Sequence, residues 1–206
     1  MTLSLIGHGY SVSPPHPSFW DCGSIGGMSD LRTHRVLLIS GPPGSGKTTL
    51  ARPLAAELGF ALLSKDDIKE ALYAALGGPP GDLDFSRRMS AVAIGLLWAL
   101  APRCPAVVLE ANFRTQSPEE RSKLAALDAD LLEIYCRVSR EEASRRFAER
   151  ARLERHHPAH PLLAMSPERI AECEEPFALS PVIEVDTSGP VDLPALLSRI
   201  RALWQA

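Results

Sequence analysis

The sequence predicts an α/β fold of three layers (α/β/α), with a parallel sheet of five strands covered by helices on both faces. Three observations predict it. From Val36 onward, short apolar runs alternate with stretches of helical period, as strand–helix–strand units with right-handed crossovers do. The runs are almost wholly apolar rather than alternating, which is how strands buried on both faces read. Between the first run and the first helix lies Gly41-Pro42-Pro43-Gly44-Ser45-Gly46-Lys47-Thr48-Thr49, which fits G-x-x-x-x-G-K-[ST] in the setting that motif requires.

The elements follow in order. Val36-Leu37-Leu38-Ile39-Ser40 reads as the first strand, and Thr49 to Gly59 as a helix closed by glycine, with Pro53 set to kink or tighten its first turns. Ala61-Leu62-Leu63-Ser64 is the second strand. Lys65 opens a helix to about Leu76, and a Gly/Pro loop spans 77–82. Phe85 to Leu100 is a helix with a long apolar face of Met89, Val92, Ala93, Leu96, Leu97 and Leu100, with Trp98 expected in the core. Ala106-Val107-Val108-Leu109-Glu110 is the third strand. Ser117-Pro118-Glu119-Glu120 reads as a capping box opening a helix to about Leu127. The fourth strand is 131–138. A second capping box, Ser139-Arg140-Glu141-Glu142, opens a helix to about Arg155, which His156-His157-Pro158 breaks. Ser166-Pro167-Glu168 starts a short helix, Pro181 to Asp186 is the fifth strand, and Leu193 to Trp204 the last helix.

The 206 residues, 45% hydrophobic and 23% charged, suit one domain with a real core. Residues 1–34 carry Gly, Ser, Pro and His without period and read as a disordered leader; 35–206 form the domain, and Met28 reads as an alternative start. A net charge of −3 opposes a large nucleic-acid footprint. Four cysteines without C-x-x-C spacing read as reduced thiols, hence a cytoplasmic setting. No run is long enough to span a membrane, no secretory signal is visible, and no obligate protein partner is evident.

The chemistry follows from the glycine-rich turn. Its glycines let successive N–H groups face phosphate oxygens, and the helix N-terminus adds partial positive charge. Gly41 through Thr49 therefore form the nucleotide site: Lys47 reaches the β/γ phosphates and Thr48 holds Mg²⁺. Ligands of such sheets bind at the carboxyl ends of strands, where Asp66, Asp67, Glu110 and Asn112 gather. One carboxylate there can take the proton of an attacking hydroxyl, and another can hold Mg²⁺. Asp66 is read as the base and Asp67 as the helix cap, with the reverse left open. Glu110 is read as a metal partner, Asn112 as a substrate contact, and Lys69 as either a contact for an anionic acceptor or a solvated charge. Arg146 and Arg150, spaced to share a face of the arginine-rich helix, are read as catalytic; the other arginines there belong to a solvated face. His156, His157 and His160 lack an acid or thiol to complete a metal set and suggest a hinge or substrate contact. Acceptor-binding residues are expected between Lys69 and Met89, with Phe85, Arg87 and Arg88 as candidates, and after Asn112.

Phosphate loop, Asp66-Asp67-Ile68-Lys69 and arginine helix together resemble the small P-loop kinases of the polynucleotide-kinase, zeta-toxin and chloramphenicol-phosphotransferase-like group, often labelled AAA-like ATPase domains. The resemblance covers roughly Val36 to the C-terminus. It implies a P-loop NTPase sheet of order 2-3-1-4-5, an arginine-bearing lid matched by Arg146 and Arg150, ATP and Mg²⁺ as cofactors, and transfer to a hydroxyl with Asp66 as base. It places Lys69 at the acceptor-phosphate position, where the group has Arg, and Glu110 where Asp is common. Lys lacks the bidentate fork of Arg, so the expected acceptor is a small molecule bearing a hydroxyl. A polynucleotide 5′-hydroxyl is the alternative, and a nucleotide-dependent switch ATPase a third reading. The switch reading lacks an N-K-x-D guanine motif, and the third strand ends Glu110-Ala111 rather than Asp-Glu.

Overall fold

Strands β1 (Arg35–Ser40), β2 (Ala61–Ser64), β3 (Ala106–Glu110), β4 (Asp130–Arg137) and β5 (Val182–Asp186) pair in parallel in the order β2-β3-β1-β4-β5, the expected sheet. The computed structural model describes residues 34–153, 157–164 and 166–205. The chain divides into two units, Met1–Leu31 and Arg32–Ala206, and all described residues lie in the second. The expected leader therefore falls, except for His34, outside the described residues.

Period-two alternation along β1 assigns its side chains to two cores. Leu37 and Ile39 pack with α1 (Lys47–Leu58) and α7 (Leu193–Leu203) through Leu50, Leu54, Leu196, Leu197 and Ile200. Val36 and Leu38 pack on the other face, against Leu97 and Trp98 of α3 (Leu83–Leu100) and Leu124 of α4 (Pro118–Ala125). All four β1 side chains are fully buried, each stabilising by about 1.5–3 kcal/mol on transfer arithmetic. Trp98 lies in the core as expected.

Four details differ from the sequence reading. α1 begins at Lys47, because left-handed Gly46 is its N-cap and turns the phosphate loop directly into the helix; Pro53 lies inside it without ending it. α3 begins at Leu83, because Asp82 caps it and accepts from the Phe85 N–H at 2.8 Å. Ser117 makes no side-chain cap bond, since Glu120 turns instead to the Arg114 N–H and guanidinium. α5 (Arg140–Ala151) ends earlier than expected. Its cap is half a box: Ser139 accepts from the Glu142 N–H, while the Glu142 carboxylate goes to Arg145 and Arg146.

One buried carboxylate fixes the chain beyond the sheet. Glu133 of β4 is fully buried and accepts from Ser40 Oγ at 2.6 Å and from the Phe177 and Ala178 N–H groups. Tyr135, two residues on along the strand, donates to the Glu174 carbonyl. Both hold the segment after α6 (Pro167–Ala171) against β4.

Candidate active site

The phosphate loop is built by three glycines in the left-handed region: Gly41 (φ 135°), Gly44 (φ 85°) and Gly46 (φ 82°). Space enforces glycine as well as φ. A Cβ at Gly41 would meet the Cys136 carbonyl at 2.6 Å, and one at Gly44 would strike the Ala143 carbonyl of α5. The loop closes with Ser45 N–H on the Pro42 carbonyl at 3.1 Å. Lys47 is only 5% exposed, and its ammonium bends back to the Pro42 carbonyl at 2.8 Å. Burial lowers its pKa, opposed by the Glu110 carboxylate. Ser45 Oγ is buried with no partner among the described residues. A left-handed loop, a lysine at its mouth and an orphaned hydroxyl together fit nucleotide phosphates.

Parallel register aligns the strand ends, with Ser64 of β2 opposite Glu110 of β3. Glu110, 3% exposed, accepts from Ser64 Oγ at 2.7 Å and from Thr48 Oγ1 at 3.3 Å. Burial raises its pKa, against the pull of Lys47. The described residues contain no cluster of three or more His, Cys, Asp or Glu side chains suited to a metal. Thr48 and Glu110 do offer two adjacent hard oxygen donors, and Mg²⁺ at nucleotide sites takes few protein ligands, phosphate oxygens and water completing its shell. The donor set fits it.

α2 (Lys65–Leu76) starts immediately beyond β2. Its cap is Ser64, whose hydroxyl accepts from the Asp67 N–H; Asp67 is therefore not the cap. Its carboxylate instead pairs with Arg52 at 2.8 Å on an exposed flank. Asp66 pairs with Lys65 at 3.1 Å. Burial pushes the Asp66 carboxyl up, but Lys65, His160 and Lys47 outweigh it and hold its pKa at about 2.

Beside Asp66 opens a cavity of about 370 Å³, whose wall includes Lys69, Asn112, Arg150 and His160. Lys69, read as either ligand contact or solvated charge, is buried, and its ammonium donates to Ser86 Oγ at 2.8 Å. Ser86 in turn donates to the Ala159 carbonyl at 2.8 Å. His160 Nε2 stands 3.0 Å from Glu70. These contacts dock the segment around 157–160 on α2 and α3. The two α5 arginines part company. Arg150 stacks on Phe147, and both line the cavity. Arg146 turns away, its guanidinium divided among Glu142 and the Thr187 and Ser188 carbonyls. Arg87 lines the cavity as expected, whereas Phe85 packs on Tyr73, with Arg88 over its ring. Burial pushes the Cys173 thiol, also in the wall, up to about 11.

Sequence reasoning missed Lys65 and Arg169, and it did not single out Ser86 and Arg114 within the stretches where acceptor contacts were expected; all four line the cavity. Lys65 could have been found, since it adjoins Asp66. Ser86 carries no local signal, because its partners lie 17 and 73 residues away. Arg169 sits on the five-residue helix that Ser166-Pro167-Glu168 announces, but nothing in that pattern directs its side chain to the cavity.

This fold and this loop define a small P-loop kinase. The AAA domain family profile matches residues 36–166, well over half the chain, and the chain belongs to that family. A solved structure from Chloroflexus aurantiacus, provisionally described as a kinase, is 29% identical, with a TM-score of 0.72 over 82% of this chain and 98% of its own. A Sinorhizobium meliloti gluconokinase (16% identical, TM-score 0.53, 85% and 99% covered) shares the fold. So does an Acinetobacter baumannii shikimate kinase (20%, 0.50, 84% and 93%). An uncharacterised Mycobacterium tuberculosis protein is 43% identical over 54 residues, 25% of this chain; the match spans only 11% of that relative's length. A cytidylate kinase from Ignicoccus hospitalis is 48% identical over 42 residues, 20% of this chain and 24% of its own. No helix among the described residues is long and apolar enough to cross a membrane.

Proposed function

We propose that the protein transfers the γ-phosphoryl group of ATP to a hydroxyl of a small-molecule acceptor held in the cavity beside Asp66. One observation carries this reading. Asp66 lines the cavity and lies two residues beyond Ser64, which bonds the same Glu110 carboxylate as Thr48 of the phosphate loop, and this supports a place for it between the nucleotide phosphates and the acceptor's space.

The acceptor hydroxyl oxygen attacks the γ-phosphorus in line, and the bond from that phosphorus to the β,γ-bridging oxygen breaks. ADP leaves, and the hydroxyl proton passes to a carboxylate oxygen of Asp66. A carboxylate held near pKa 2 is a weak base towards a neutral alcohol. Transfer of the proton therefore comes late, once bonding to phosphorus has made it acidic, which suits the loose transition state of phosphoryl transfer. Asp66 first orients the hydroxyl. Lys47 leaves the Pro42 carbonyl for the β/γ oxygens, and Arg150 reaches the equatorial oxygens from α5. Thr48 and Glu110 would hold Mg²⁺, which would neutralise phosphate charge when bound. We assign Arg146 to clamping α5 on the loop after β5, since its donors are already spent there. Asn112 contacts the acceptor from the end of β3.

The shikimate kinase and gluconokinase neighbours support a small hydroxylated acceptor by analogy of fold alone. The test is ADP release from MgATP, with and without hydroxyl compounds and a 5′-hydroxyl oligonucleotide. Release that rises with one acceptor supports the kinase. Steady release indifferent to every acceptor moves the assignment to a switch ATPase. Stimulation by the oligonucleotide alone, with a steep salt dependence, moves it to a polynucleotide kinase.

A further inference from the structure

The cavity beside Asp66 carries six Lys and Arg side chains against three Asp and Glu. Part of that charge is neutralised in place: Lys65 on Asp66, Arg114 on Glu120, and Arg87 on Asp84 outside the wall. Arg150 is assigned to the transferring phosphoryl group. Lys69 and Arg169 are left, and among the described residues neither has a carboxylate within ion-pair distance.

Lys69 is the more telling of the two. It is 4% exposed, and its one hydrogen bond goes to a neutral hydroxyl, Ser86 Oγ. An ammonium carries three donors, so two remain. Burying an ammonium without a counter-ion is costly. Burial first, then Lys65 and Arg169, draws its pKa down to about 8, although Asp66 and Glu70 oppose this. Arg169, from a different helix, lines the same cavity, and like charges so placed favour an anion between them. Glu172 shares this wall and sets how much charge the anion must bring.

We propose that the acceptor is a small hydroxylated anion whose charged group is held between Lys69 and Arg169 while its hydroxyl faces Asp66. The size fits, since about 370 Å³ lies near the lower end of small-molecule sites, roughly 300–1,000 Å³. This rests on the kinase reading for the hydroxyl but not for the anion.

The test separates the two. The full chain is first saturated with Mg²⁺ and a non-hydrolysable ATP analogue, so that the phosphate loop is filled. Inorganic phosphate and acetate are then titrated separately by calorimetry. The expected result is one anion bound per chain, weakened about tenfold or more by Lys69→Met and by Arg169→Gln, the loss of a charge-assisted bond. Arg201→Gln, on the far helix, leaves binding unchanged. Tighter phosphate than acetate points to a phosphate ester, and the reverse to a carboxylic acid. If Lys69→Met melts early, Arg169→Gln, at an exposed position, carries the comparison. No anion bound by the nucleotide-filled protein, or binding indifferent to both variants, overturns the proposal. The second arm compares ADP release with matched pairs of a hydroxy acid and its uncharged amide. Equal kcat/KM for acid and amide leaves the kinase standing and overturns the anion subsite. Anion binding without acceptor-stimulated release from any pair does the reverse.

Discussion

The nucleotide side and the acceptor side of this molecule are built in opposite ways. The phosphate loop, Lys47 and Thr48 form one unbroken segment, fixed by glycine dihedrals and by close backbone approach to β4 and α5. The acceptor cavity is assembled from α2, α3, α6 and the segment near His160, joined by relays such as Lys69–Ser86–Ala159. The first is local and pre-shaped. The second depends on long-range docking and can be retuned one wall at a time. Chemistry common to a fold belongs in the first kind of site, and selectivity in the second.

The largest effect should come from breaking the local half. Lys47→Ala is expected to lower kcat by at least about 10³, the upper range for losing one preorganised electrostatic contact, as measured by single-turnover phosphoryl transfer. Gly44→Ala should match it by losing nucleotide affinity, because a Cβ there meets the Ala143 backbone; normal ATP binding by that variant would show the loop to be softer than its contacts imply.

Asp66→Asn lies on the boundary between the halves. Acceptor phosphorylation should fall by about 10²–10⁴, the usual worth of a positioned acid–base group, while ATP affinity, read by fluorescence titration, stays put. Asp67→Asn should change little, since that carboxylate pairs with exposed Arg52; if it is the more damaging of the two, the roles are reversed.

Smaller still is Ser86→Ala. It removes one neutral relay, so acceptor KM should rise by no more than about tenfold, in line with roughly 1 kcal/mol for such a bond, with ATP KM unchanged. A parallel rise in both would mean the cavity and the phosphate loop are coupled.

The mildest perturbation is pH. Lys69, with a pKa of about 8, is faced by Lys65, Asp66 and Glu70 on its own helix, by Arg169, and by His160. It is charged below that value and loses its charge above it, so acceptor KM should climb above about pH 8 while ATP KM does not. Asp66, at about 2, stays ionised through the acid range and sets no acid limb above pH 4. The Asp66 carboxyl is depressed from 3.8 to about 2, so its contribution to stability is present above pH 4 and is lost as pH falls towards 2. Thermal melts of wild type and Asp66→Asn should therefore converge at the acid end.

The strand–helix alternation and the phosphate loop were legible because their signals are contiguous, whereas the sheet order came from the resemblance to P-loop kinases. Val36 to Ser40 declares a doubly buried strand, and Gly41 to Thr49 declares both a conformation and a ligand. Glu110 at the end of β3 was legible for a related reason: an apolar run that stops at a carboxylate must put it at the strand's carboxyl edge. The capping of α2 was not, because Ser64, Asp66 and Asp67 all suit an N-terminus, and only the geometry selected Ser64. Arg146 and Arg150 are equivalent by spacing, yet one is bound to the loop after β5 and the other faces the cavity.

The sequence by itself thus determined the layers, the polar strand ends at the nucleotide edge and the residues that cradle phosphate, since backbone dihedrals and hydrophobic period act within a few residues of where they are written. Tertiary structure alone decided which cations meet inside the acceptor cavity. Lys69, Ser86, Ala159 and Arg169 span a hundred residues of chain, and no local rule fixes the encounter of side chains so far apart; it follows from how α2, α3 and α6 pack once the sheet has formed.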